Sequence, residues 1–133
     1  MNISDFVKSI QLGLSDMEDI GELGYVKGIS NIIIKQLHSL DIYKRPIHCT
    51  DAKRDTLYIK DNDAWEKEKK DLPKIKQAIQ TVTQAGCKIL CDMDFNDEKA
   101  LQIVFEVSGG GVDHVKQDDK IIKLISRATV IEE

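Results

Sequence analysis

The apolar residues of this chain change their spacing once, near Leu40, and that change limits what the chain can fold into. Before it, apolar side chains recur at helical spacing; after it, Ile47 and Cys49 alternate with His48 and Thr50, and Leu57 and Ile59 alternate with Thr56, Tyr58 and Lys60. Alternation sends successive side chains to opposite faces of a strand. Between the two runs lies the polar tip Asp51-Ala52-Lys53-Arg54-Asp55, and Pro46 opens the first, where its missing N–H costs least. The pattern predicts a β-hairpin over residues 46–60, with one face on a core and a basic tip in water.

Helices are predicted on either side of it. Ile3, Phe6, Val7, Ile10, Leu14 and Met17 share a helical face, Ser4 is placed to cap it, and Gly21 and Gly24 break it. A second helix is expected over Ser30–Leu40 after a turn at Gly28, with Val26, Ile29, Ile33, Leu37 and Leu40 towards the core. Its opposite stripe is Asn31, Lys35 and His38. Asp61-Asn62-Asp63 is expected to end the hairpin and cap a lysine- and glutamate-rich helix from Trp65 to Ala85, started anew or kinked at Pro73 and closed by Gly86. Trp65 is expected to anchor that helix to the core. Cys87–Cys91 reads as strand or loop, and Asn96 or Asp97 can cap a helix through Phe105. Ser108-Gly109-Gly110-Gly111 reads as a linker before a last helix that buries Val115, Ile121, Ile122, Leu124, Ile125 and Ala128.

The expected fold class is therefore α+β: a small, mainly helical domain with one β-hairpin, winged-helix-like in its chain order. Residues 1–108 would form the helical core with the hairpin, and 109–133 a C-terminal helical extension of the same domain. The length of 133 residues suits one domain. No apolar run reaches the roughly 18–20 residues that span a bilayer, and Met1–Ile10 lacks the basic start of a secretory signal, so no membrane contact is expected. Three cysteines make a disulfide framework improbable and fit a reducing, intracellular compartment.

Charge is distributed unevenly. The chain carries 19 Lys+Arg and 23 Asp+Glu, net -4. Residues 1–43 are net -3 and residues 61–133 net -4, whereas residues 44–60 are net +3 through Lys44, Arg45, Lys53, Arg54 and Lys60. Anion attraction is thus concentrated in one short stretch. In a winged helix the second helix of the helix–turn–helix enters the major groove and the hairpin meets phosphate. On that pattern Asn31, Lys35 and His38 would face base edges and Lys53 and Arg54 would meet the backbone, with Lys44 and Arg45 as further partner-binding residues. The plainer alternative is an ordinary solvated helix face and an ordinary basic tip.

Other chemistry finds weaker support. His48, Cys49, Cys87 and Cys91 are zinc-ligand types, and Cys87–Cys91 has C-x3-C spacing, but His48 and Cys49 are adjacent on a strand and point apart. The same geometry separates Cys49 from His48 as nucleophile and base. The glycine run lacks a following GK[ST], and Asp113 would repel phosphate there. No catalytic residue, metal or cofactor is expected, and no enzymatic activity.

The runs Gly24-Tyr25-Val26-Lys27-Gly28-Ile29-Ser30, Leu40-Asp41-Ile42-Tyr43-Lys44-Arg45-Pro46-Ile47-His48-Cys49-Thr50-Asp51, Lys53–Asp61 and Trp65-Glu66-Lys67-Glu68 resemble a C-terminal domain of proteins from large nucleocytoplasmic DNA viruses. In those proteins the domain often follows a C2H2 zinc finger, and no such finger pattern occurs here. The resemblance covers residues 20–85 best, with Arg45-Pro46-Ile47-His48-Cys49 as its most specific part, and it implies a viral setting without an assigned activity. The expected function is a non-enzymatic viral interaction module that binds an acidic partner, DNA or a viral protein. The alternative is a structural virion protein that forms homo-oligomers through Ile121, Ile122 and Ile125 of the last helix. Either would act in the host cytoplasm, at the viral factory, or in the virion.

Overall fold

Two glycines divide the N-terminal apolar run into three helices: α1 (Ile3–Ser9), α2 (Leu14–Leu23) and α3 (Tyr25–His38). The computed structural model describes residues 1–51, 53–54, 56–91 and 114–130. Gly13 precedes α2, and its N–H donates to the Asp16 carboxylate at 2.8 Å. Gly24 alone joins α2 to α3. At φ 92° it holds a conformation open to glycine, its N–H closing α2 on the Ile20 carbonyl and its own carbonyl accepting from Gly28 to open α3.

The helix boundaries differ from the periodicity. The expected single N-terminal helix breaks after Ser9, where Ile10 turns extended and its N–H closes the helix on the Val7 carbonyl at 3.3 Å. Asn2, not Ser4, is the residue before α1, and Gly21 lies within α2. Gly28 and Ser30 lie within α3 rather than in a turn before it. Gly28 is needed there for contact: a Cβ at this position would lie 2.5 Å from Ile20 Cγ1 and 2.8 Å from Ile20 Cα, so α2 and α3 cross with their backbones close.

After a 3-10 turn at Ile42–Lys44, the chain forms an antiparallel sheet in the order β1 (Ile47–Asp51), β2 (Thr56–Asp61), β3 (Ala64–Lys67). The expected hairpin is β1–β2, in register Ile47 with Ile59 and Cys49 with Leu57, with an irregularity between Cys49 and Asp51. The third strand corrects the sequence reading. Asn62 and Asp63 both take positive φ, 51° and 62°, as the two-residue turn of a hairpin requires. Asp61-Asn62-Asp63 therefore turns the chain back into β3 instead of capping a helix, and Trp65 lies on a strand. Asn2 secures this turn, its Oδ1 accepting from the Asp63 N–H at 2.9 Å and its Nδ2 donating to the Asp63 carboxylate at 3.1 Å.

Helix α4 (Pro73–Cys91) begins at its proline, where the absent N–H is not missed. Its first turn holds no acid. Instead, Glu68 caps it from the preceding segment by accepting the Ile75 N–H at 3.0 Å. The helix runs through Gly86 and Cys87–Cys91, so that stretch is neither strand nor loop. The expected helix after Asn96 and the glycine linker lie outside the described residues. Helix α5 (His114–Ala128) then ends with Thr129, whose carbonyl accepts the Cys49 N–H at 3.0 Å along the outer edge of β1.

The helices pack on one face of the sheet. Ile47, Cys49, Leu57 and Ile59 enter the core with Phe6, Met17, Ile29, Ile33, Leu37, Ile75 and Ile79. Ile121, Ile122 and Ile125 of α5 join them at no more than 1% exposure, so the three residues assigned to subunit contacts are already occupied within their own chain. The result is a small α+β domain. Among the described residues no helix is long and apolar enough to cross a membrane.

Candidate functional site

Alternation places His48 and Thr50 of β1, Thr56, Tyr58 and Lys60 of β2, and Trp65 and Lys67 of β3 on the sheet face opposite the core. Tyr58 sits directly between His48 and Lys67 in register. Trp65 leans back across β2 and stacks on the His48 ring, with centroids 4.7 Å apart and planes 17° from parallel. Its expected place in the core is thereby corrected: the indole is 41% exposed on the outer face.

His48 also fixes what lies beside the sheet. Its Nε2 is 2.8 Å from the Ile42 carbonyl, and since a carbonyl only accepts, Nε2 carries the proton. This bond ties the 3-10 turn to β1 and leaves Tyr43 at the rim, 91% exposed. Tyr43, His48, Thr50, Tyr58 and Trp65 line an open dish of about 380 Å3. The exposed rings of Tyr43 and Trp65 are thus gathered at one dish instead of scattered over the surface.

A second dish, about 390 Å3, adjoins it at the Thr56 and Lys67 end of the sheet. Arg54, Lys67, Lys69 and Lys70 line it together with Thr56, Glu68 and Leu72. Glu68 is the acid among them, and its carboxylate is engaged with the Ile75 and Lys69 N–H groups. Arg54 lies 3.7 Å from Asp51 and remains 84% exposed, a weak pairing. Among the described residues Lys67, Lys69 and Lys70 have no ion-pair partner.

Two further carboxylates of the sheet, Asp61 and Glu66, are held elsewhere. Lys74 Nζ lies 3.4 Å from Asp61 and 3.5 Å from Glu66, tying β2 and β3 to the start of α4. Partial desolvation lowers the Lys74 pKa, but hydrogen bonds and charge from Asp61 and Glu66 outweigh it, and the ammonium ends raised above its ordinary value.

The residues expected from sequence are only partly brought together. Lys53 and Arg54 are exposed at the hairpin tip, and Lys44 is exposed beside Tyr43. Arg45 is half-buried and structural, its Nε donating to the Leu40 carbonyl at 3.2 Å. Asn31, Lys35 and His38 are exposed on α3. However, α5 connects α3 to the hairpin: His38 Nε2 lies 3.5 Å from the Ala128 carbonyl, and Lys123 Nζ donates to the Lys53 carbonyl at 3.1 Å. The polar stripe and the aromatic face are therefore different surfaces, one in the helical layer and one on the far side of the sheet.

Sequence reasoning missed Tyr43, His48, Tyr58 and Trp65 as a group, and Lys67, Lys69 and Lys70 as cations of the basic site. The local cue was limited to Asn62-Asp63, a turn-forming pair without glycine, between Tyr58-Ile59-Lys60 and Trp65-Glu66-Lys67. His48 and Cys49 do point to opposite faces, with the thiol buried. Among the described residues no group of three His, Cys, Asp or Glu side chains could hold a metal ion. A groove of about 300 Å3 between α1 and α4, lined by Val7, Lys8, Lys74 and Thr81 among others, carries no comparable constellation. Comparison with protein-family models, curated proteins and solved structures finds no match for this chain.

Proposed function

We propose that this chain is a non-enzymatic interaction module that binds an acidic partner at the Thr56–Lys67 end of its sheet and at the adjoining hairpin tip. One observation carries the proposal: Arg54, Lys67, Lys69 and Lys70 converge on one dish in a chain of net -4. Gathering these four cations around Glu68 and Asp51 leaves a local excess of positive charge, which an anionic partner relieves. The basic stretch read from sequence supplies Arg54, and β3 and the turn after it supply the lysines. The likeness of residues 20–85 to a domain of large DNA viruses supports a viral setting, in the cytoplasm of the host or in the particle.

The test is retention on a polyanion such as heparin, measured against salt. Wild type should elute late, and Lys69→Glu with Lys70→Glu should elute at markedly lower salt, because each lost phosphate-type contact removes about one unit from the slope of log K on log salt. Equal elution of the two proteins would refute the proposal.

A further inference from the structure

We infer that the outer face of the sheet is a stacking platform for single-stranded nucleic acid, with bases on the aromatic dish and phosphates in the basic one. The inference rests on the anionic-partner reading above and names the partner's chemistry. Flat rings on three adjacent strands, bordered by cations, match what an unpaired strand offers: exposed base faces on a charged backbone. Tyr58 is the hinge between the two dishes, two residues from Thr56 on the same face and directly opposite Lys67. A base stacked on Tyr58 or Trp65 therefore has a cation within reach of its own phosphate.

The geometry discriminates against other anions. A duplex keeps its base faces stacked inside and can use only the cations. An acidic peptide likewise satisfies Arg54 and Lys67 but leaves Tyr43 without a planar partner. Tyr43 is the informative residue. Its ring is 91% exposed and contributes nothing to the core, yet the His48 bond to Ile42 holds its turn beside the platform.

The experiment titrates the full chain with four probes: labelled 12-mers of oligo(U) and oligo(dT), a 12-base-pair duplex, and polyglutamate of matched charge. Anisotropy reports binding, and Trp65, the one tryptophan of the sequence, reports stacking by quenching. Single strands should bind about tenfold or more tighter than the duplex and quench Trp65. Tyr43→Ala should weaken single-strand binding about 5- to 100-fold, the loss of one stacked base, and leave duplex binding unchanged. Its exposure makes misfolding an implausible cause, and an unchanged circular dichroism melt checks this. Trp65→Ala, read by anisotropy, should act in the same direction. A preference between oligo(U) and oligo(dT) would support the inference and show that the sugar or the base methyl group is read. Equal single-strand and duplex binding with no quenching and a silent Tyr43→Ala would overturn stacking while the anionic-partner proposal stands. Quenching by polyglutamate alone would overturn it in favour of an acidic protein, and no binding to any probe would overturn both.

Discussion

Gly28 shows how one residue's value depends on its neighbour. In an exposed helix, replacing glycine by alanine gains about 0.5–1 kcal/mol because the unfolded chain loses freedom. Here the added methyl would overlap the Ile20 backbone, which cannot move without displacing α2. Gly28→Ala should therefore destabilise the protein by about 1–3 kcal/mol, the range for overpacking, as read from urea unfolding. Gly86 is the control. A methyl there meets only the end of the Met17 side chain, at 3.0 Å, so Gly86→Ala should cost clearly less. Both positions look alike in the sequence, since each is a glycine beside apolar residues. Only the contact distinguishes them.

At the scale of elements, the start of α4 gathers its stabilisation from outside the helix. Glu68 supplies the capping carboxylate, and Asp61 and Glu66 offset Lys74, a cation placed against the positive end of the helix dipole. Because the folded pKa of Lys74 is raised above the ordinary 10.5, its contribution is fully present below about pH 10.5 and is lost as pH rises through the folded value. The stability gap between wild type and Lys74→Met should thus stay level from neutral pH to about 10 and close above it, measured as urea midpoints. A gap unchanged beyond that range would assign the effect to the Lys74 stem packing instead. The same elements mark the limit of sequence reading. The β1–β2 hairpin was legible because its alternation is strict and its inner positions are isoleucine, leucine and cysteine. The β3 strand was not, because all four of its residues are exposed and their lysine and glutamate content is equally that of a solvated helix. Pairing with β2 decided the matter, and it carried Trp65, Lys67 and the candidate site with it.

Across the whole molecule, α5 is the element that closes the fold. It packs against α3 and β1, and the Thr129 carbonyl pairs with β1 beyond its end. Ile125→Ala should therefore cost about 2–4 kcal/mol, as a cavity in a shared core does, and denaturation should remain one transition with an unchanged m-value. A separate low-stability transition would instead make α5 an appendage. The molecule is also polarised: helices occupy the inner side of the sheet, while the aromatic and basic residues lie on the outer side. By itself the sequence determined the class of fold, the β1–β2 hairpin, the core face of α3 and the local +3 charge, because periodicity and charge are local properties of the chain. Tertiary structure decided where Trp65 points, which lysines join Arg54, and that the Asn31–His38 stripe lies in the helical layer, not on the outer face of the sheet. Those outcomes depend on a strand pairing and a helix docking between residues distant in sequence, and the residues themselves are compatible with more than one partner.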